Sequence, residues 1–191
     1  AYQPETNSIC EGQVLSCPYD YEKTRLIVQE MTDSLVYQLM DKGLVTDGLT
    51  LDIGYDRENC DKGGYRGPVQ IDRYGRTLPK PSHGSIRLES ATNLGSQLQA
   101  ATSALFDRIA NPKLTVRRLT LTANRVVKDP GIFQTDFFTD AAKLEKEKSL
   151  QEAMLGLKKR FGKNAVLKGS NYLEGATMRD RNGRIGGHKA E

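Results

Sequence analysis

The chain is poor in the side chains that do chemistry. It has two histidines, His83 and His188, far apart and without Cys, Asp or Glu at metal-ligand spacing. Its three cysteines, Cys10, Cys17 and Cys60, are an odd count with no zinc-type pattern, and read as the reduced thiols of a cytoplasmic protein. No apolar run approaches the ~18 residues of a membrane span, and no signal peptide is visible. Gly186-Gly187-His188 lacks the strand, Gly-Lys-Ser/Thr and helix of a phosphate-binding loop. Asp52 and Asp56 lie near a strand, but nothing around them builds the nucleotide pocket of a two-metal site. The sequence therefore predicts no catalytic residue, no metal ligand and no cofactor. The first residue is Ala rather than Met, and the chain is expected to be part of something longer.

What is present is segregated charge. The net charge of +4 hides an acidic stretch from Asp20 to Asp61 and basic stretches at 62–87, 108–128 and 158–191. An acidic side and a basic side suit a polyanion better than a small substrate. The most informative segment is Lys113 to Lys128, KLTVRRLTLTANRVVK, which holds five bases and no acid. Leu119 and Leu121 alternate with Arg118, Thr120 and Thr122, so it reads as a strand with one apolar and one basic, polar face.

Taken in order, Ala1 to Glu11 reads as a linker and 12–16 as a short strand stopped by Pro18. Asp20 caps a helix over 21–42, in which Ile27, Met31, Leu35 and Leu39 fall at i, i+4 and Gly43 ends the run. Its exposed face is expected to include Glu30, Asp33 and Asp41. Residues 49–55 alternate as a second strand. Residues 59–80 form an irregular insert carrying Lys62, Arg66, Arg73, Arg76 and Lys80, with a small hairpin or ribbon around Val69, Ile71 and Tyr74. A third strand, 83–89, turns Ile86 and Leu88 inward and Ser85 and Arg87 outward. Thr92 or Asn93 then caps a second helix with a core stripe of Leu94, Leu98, Ala101, Leu105 and Ile109, ended by Asn111-Pro112.

The order β-α-β-β-α-β predicts an α+β, ferredoxin-like domain, with two helices on one face of a four-stranded antiparallel sheet. The open face would present Arg87, Arg118, Thr120 and Thr122. RNA-recognition versions of this topology stack bases on sheet aromatics. None is expected on this face, which favours a duplex held by its phosphates.

Several quoted segments resemble one family. Asn7-Ser8-Ile9, His83-Gly84 and Arg117-Arg118-Leu119-Thr120-Leu121, on this topology, resemble the little-finger domain of Y-family translesion DNA polymerases. Leu44-Val45-Thr46-Asp47, Gly54-Tyr55-Asp56, Tyr74-Gly75-Arg76, 105–109 and 185–190 are similar to the UmuC-type branch of Gram-positive bacteria. The resemblance implies a non-catalytic part of an error-prone polymerase of SOS damage tolerance, acting in the cytoplasm at the nucleoid. Residues 1–11 would lead from a thumb, 12–128 would be the little finger with its insert at 59–80, and 129–191 a C-terminal tail. The Mg2+ carboxylates of such a polymerase belong to a palm that would precede this chain. Little fingers lay their sheet against duplex primer-template DNA. That role carries over to Ser85, Arg87, Arg117, Arg118, Thr120 and Thr122, with Arg73 and Arg76 added from the insert. Thr122 stands where some relatives carry a base.

Gln134-Thr135-Asp136-Phe137-Phe138 resembles a sliding-clamp motif, with Thr135 in place of the usual Leu. Gln134, Asp136, Phe137 and Phe138 would bind the clamp from an extended segment freed by Asp129-Pro130-Gly131. The alternative is that Phe133, Phe137 and Phe138 dock on the chain's own core. Residues 141–160 are helix-prone. Beyond Phe161 the chain is Gly-rich and basic, either disordered or adding diffuse phosphate attraction. An RNA-binding module and a protein-interaction domain remain as other readings of the whole.

Overall fold

A computed structural model of the chain describes residues 7–61, 64–131, 141–185 and 188–189. The expected order is present. Strand β1 (Ile9–Tyr19) leads through α1 (Tyr21–Asp41) to β2 (Leu44–Tyr55). A one-turn α2 (Glu58–Asp61) and a ribbon of β3 (Val69–Ile71) and β4 (Thr77–Pro79) fill the insert. Strand β5 (Ser82–Thr92), α3 (Gly95–Ile109) and β6 (Val116–Asn124) complete the α+β unit. The antiparallel sheet runs β1-β6-β2-β5. Both β-α-β units are split: β6 lies between β1 and β2, and β2 lies between β5 and β6. The opening strand thus takes an edge, and β2 and β6 hold the centre.

Local chemistry explains the first helix. Asp20 accepts the Lys23 N–H at 2.8 Å as N-cap, and Gly43 takes φ +61° just past the end. Ile27, Met31, Leu35 and Leu39 are fully buried. They meet the inner sheet face, where register sets Leu51 opposite Leu121 and Ile53 opposite Leu119. Leu98, Leu105 and Phe106 of α3 close the same core. Each such side chain contributes roughly 1.5–3 kcal/mol on burial.

Several features differ from the sequence reading. The last strand does not run unbroken to Lys128. Arg125 adopts φ +49°, and the chain re-pairs as β7 (Val127–Lys128) with Leu44 and Val45 at the start of β2. Buried Thr46 bridges the break, its hydroxyl 2.5 Å from the Asn124 carbonyl. The first strand is longer than expected at both ends: Ile9 and Glu11 already pair with Ala123 and Leu121, and it passes Pro18 to reach Tyr19, opposite Val116, after a register shift. And α3 is not capped by Thr92 or Asn93. Its N-cap position is Leu94, with no side-chain cap of its own. Instead, α4 (Ala141–Phe161) supplies the acceptors. Gln151 Oε1 takes the Gly95 N–H at 2.7 Å, and Glu147 Oε1 takes the Ser96 N–H at 2.7 Å. A carboxylate there also complements the helix dipole.

The tail after α4 is folded against α1. A 3-10 turn (Gly169–Tyr172) and α5 (Met178–Asn182) follow, then two short strands, β8 (Arg184–Ile185) and β9 (His188–Lys189), paired antiparallel. Glu30 and Asp33, expected on an exposed face, are buried by it. Glu30 accepts from Asn171 Nδ2 at 2.9 Å, Thr177 N at 2.8 Å and Met178 N at 3.0 Å. Lys168 pairs with Asp33 at 2.7 Å, Lys23 with Glu174 at 2.6 Å, and Lys159 with Asp41. Arg181 lies 3.8 Å from Glu11. Burial pushes the Glu11 carboxyl above its ordinary value, against hydrogen bonds from Ser34 and Gln38 and the Arg181 charge, which favour its anion. Three bases of the tail, Lys159, Lys168 and Arg181, are thus spent on Asp41, Asp33 and Glu11.

Glu30→Ala leaves four donors of the tail, Asn171 Nδ2, Thr177 N, Thr177 Oγ1 and Met178 N, without their acceptor, at about 1–3 kcal/mol for each group stranded in the interior. Native-state hydrogen exchange is expected to speed up at Thr177 and Met178 by at least tenfold, with the β2–β6 amides unchanged.

Candidate nucleic-acid interface

With both helices and the tail on one side, the other sheet face is left open. Side chains of alternate residues share it, and the register assigns them to rungs. Cys10, Thr122, Thr50 and Ser85 form one rung, and Gly12, Thr120, Asp52 and His83 the next. Toward one end Arg118 stands between Val14 and Gly54. Toward the other, Gly48 lies between Asn124 and Arg87. The middle of the face is therefore low and rich in hydroxyls, with arginines at its two ends. No Phe, Tyr or Trp stands on these rungs, and their one imidazole, His83 on the edge strand, is bound to Asp52.

Arg117 needs a separate explanation, because neighbours in a regular strand point to opposite faces. The register shifts here: Gly54 pairs with Arg118 and Tyr55 with Val116, so Arg117 is the extra residue of a β-bulge. Both arginines consequently line the same cleft. That cleft, about 1240 Å³, lies between the sheet end and the β3–β4 ribbon. Arg73 and Arg76 of the ribbon, with Arg117, Arg118 and Thr120, share its lining. Ser85, Arg87 and Thr122 belong to the same sheet face beyond it.

The face is less uniformly basic than the charge runs imply, because β2 brings its acids to it. Asp47 holds Arg125 at 2.7 Å and Arg87 at 3.5 Å. Asp56 lies 3.8 Å from Arg117. Asp52 contacts His83 Nδ1 at 2.6 Å. Asp72 binds Arg76 at 2.7 Å, and this bond holds the Asp72 carboxyl below its usual range. Arg118 and Arg73 have no acidic partner among the described residues, so their charge is available to an anion. Arg125, not anticipated as part of the site, folds its guanidinium over Gly48, where an added Cβ would lie 2.5 Å from it. Tyr74 was also missed. It is 65% exposed on the ribbon, and a single tyrosine in a glycine-rich insert carries no periodic signal. Gln134, Asp136, Phe137 and Phe138 lie outside the described residues.

Among the described residues no three His, Cys, Asp or Glu side chains converge as a metal site, and no helix is long and apolar enough to cross a membrane.

No protein-family model matches the chain. Across 98% of its length it is 24% identical to DNA polymerase IV 2 of Bacillus subtilis, covering 42% of that protein. Across 93% it is 22% identical to DNA polymerase IV 2 of Halalkalibacterium halodurans, covering 38%. Across 96% it is 23% identical to the B. subtilis UV-damage repair protein UvrX, covering 39%. The chain thus spans about two fifths of the length of these relatives. They bear out the resemblance to UmuC-type Y-family polymerases drawn from the motifs.

Asp47→Asn releases Arg87 and Arg125 from their shared carboxylate. The variant is expected to elute from a heparin column at higher salt than the parent chain, by an amount consistent with about one more anion contact. Unchanged elution would remove both arginines from the anion-binding surface.

Proposed function

We propose that this chain is the DNA-gripping part of a lesion-bypass DNA polymerase, holding primer-template duplex by its phosphates and doing no chemistry itself. The observation that carries this is the open sheet face. It has short Ser, Thr and Gly positions at its centre beside the Asp52–His83 pair, and at its end Arg118, which has no acidic partner among the described residues, on a chain similar throughout to proteins named as polymerases. Four strands spaced ~4.8 Å apart make a surface roughly 14 Å across. That matches the scale of a major groove, about 12 Å wide. Low side chains let the sheet approach the duplex, and the flanking arginines reach its backbone. Arg87 and Arg117 reach it by exchanging Asp47 and Asp56 for phosphate.

In this reading the residues of β1 to β7 are the little finger. The nucleotidyl transfer and its Mg2+ belong to a catalytic part outside this chain, and the work takes place in the cytoplasm at the nucleoid. Gln134, Asp136, Phe137 and Phe138 tether the polymerase to the sliding clamp. A Gln amide and adjacent aromatic side chains fit a peptide pocket that combines hydrogen bonds with apolar contact. The absence of Phe, Tyr and Trp from the sheet rungs, whose His83 is already bound to Asp52, weighs against a single-stranded RNA module of this topology.

Fluorescence anisotropy with a blunt duplex, titrated with salt, tests the proposal. Binding is expected to be indifferent to sequence and to fall steeply with salt. Arg87→Ala/Arg118→Ala should weaken it about tenfold or more and flatten the salt slope by about 2. A chain that ignores duplex at low salt but binds an acidic protein would instead support the protein-interaction reading.

A further inference from the structure

We propose that the turn at the tip of the β3–β4 ribbon is a stacking platform for one unpaired nucleobase, formed by Tyr74 and its two neighbouring arginines. This rests on the nucleic-acid reading above and names a second class of contact within it. The sheet face offers no Phe, Tyr or Trp to stack on, and its His83 is bound to Asp52; the ribbon offers Tyr74. Tyr74 is 65% exposed. The Arg73 guanidinium lies 4.8 Å from its ring centroid and that of Arg76 lies 5.0 Å from it. Side chains so exposed are ordinarily free to wander, but this set is held. The Asp72 carboxylate accepts the Tyr74 N–H at 2.9 Å, the Arg76 N–H at 3.0 Å and Arg76 Nε at 2.8 Å. Gly75 supplies φ +75° for the reversal, and the Asp72 N–H bonds the Arg76 carbonyl at 3.0 Å.

The two arginines are not equivalent. Arg76 is fixed by Asp72. Arg73 has no acidic partner among the described residues and donates only to the Tyr74 hydroxyl, at 2.7 Å. Arg73 is therefore the layer that an incoming base displaces, and its guanidinium is then free for the adjoining phosphate. Flat π-systems between an aromatic ring and an arginine plane are a recurrent way to hold single-stranded bases.

Placement decides that the base is unpaired. The platform lines the same cleft as Arg118 and Thr120, at the Gly54–Arg118 end of the sheet face. A duplex lying on the hydroxyl rungs would thus present its end, or the junction with a single strand, to the ribbon. An interior base of a duplex is covered on both faces and a terminal pair on one, so only a base beyond the junction can free both faces and enter between the tyrosine ring and an arginine plane. The cleft, at about 1240 Å³, is larger than the ~300–1,000 Å³ of small-molecule pockets, and suits a length of strand.

The test compares a blunt duplex with the same duplex carrying a five-nucleotide overhang, 2-aminopurine being the first unpaired base. The wild-type chain is expected to bind the overhang substrate about tenfold tighter, from the stacking of one base, and to quench the 2-aminopurine. Tyr74→Ala should remove both the preference and the quench while leaving blunt-duplex affinity unchanged, and Tyr74→Phe should retain both. If Tyr74→Ala keeps the preference and the quench, or if the wild type shows neither while still binding the blunt duplex, the stacking inference is overturned and the duplex reading survives. If the wild type binds neither substrate, both fall together.

Discussion

The pairing of β2 with β6 is the constraint from which the rest follows. Leu49, Leu51 and Ile53 on one strand meet Ala123, Leu121 and Leu119 on the other, all of them fully buried. In a strand the side-chain period is two, so a slip of one residue would carry these six to the opposite face. Their burial under α1 and α3 therefore fixes the register. It also fixes which residues look away from the core, namely Thr50, Asp52, Thr120 and Thr122 at the centre of the open face. Stability and the make-up of the open face are two sides of one pairing.

Charge has two fates in this molecule. On the helical side, Glu30, Asp33 and Asp41 are met by Asn171, Lys168 and Lys159 of the tail, and α4 completes the N-terminus of α3. On the sheet side, Asp47 and Asp56 sit beside Arg87, Arg125 and Arg117. These pairs are partly exposed, and exposed pairs are worth only about 0–1 kcal/mol. A phosphate can replace their carboxylate at little cost. In the proposed reading Asp47 and Asp56 act as placeholders that keep the arginines extended along the surface.

The sequence made local structure legible and left long-range polar contact hidden. The α1 boundaries were readable because a cap, an i, i+4 stripe and a terminal glycine all lie within one segment. Ser85, Arg87, Arg118, Thr120 and Thr122 were readable because alternation needs only neighbours. Arg117 joins them through a bulge that no local pattern announces. The burial of Glu30 was not readable, since a carboxylate on the polar stripe of a helix looks solvent-exposed until a segment some 140 residues away covers it. The capping of α3 by Gln151 and Glu147 failed to show for the same reason. Acids of β2 reached the basic face because charge counted along the chain ignores the direction in which each side chain points.

The most direct test of the account is backbone amide NMR of the chain titrated with duplex DNA. The account predicts that shifts concentrate at Thr50, Ser85, Arg87, Arg118, Thr120 and Thr122, with the amides of α1 and α4 silent. Shifts confined to α1, α4 and the tail, with the hydroxyl rungs silent, would contradict it and place the binding surface on the helical side.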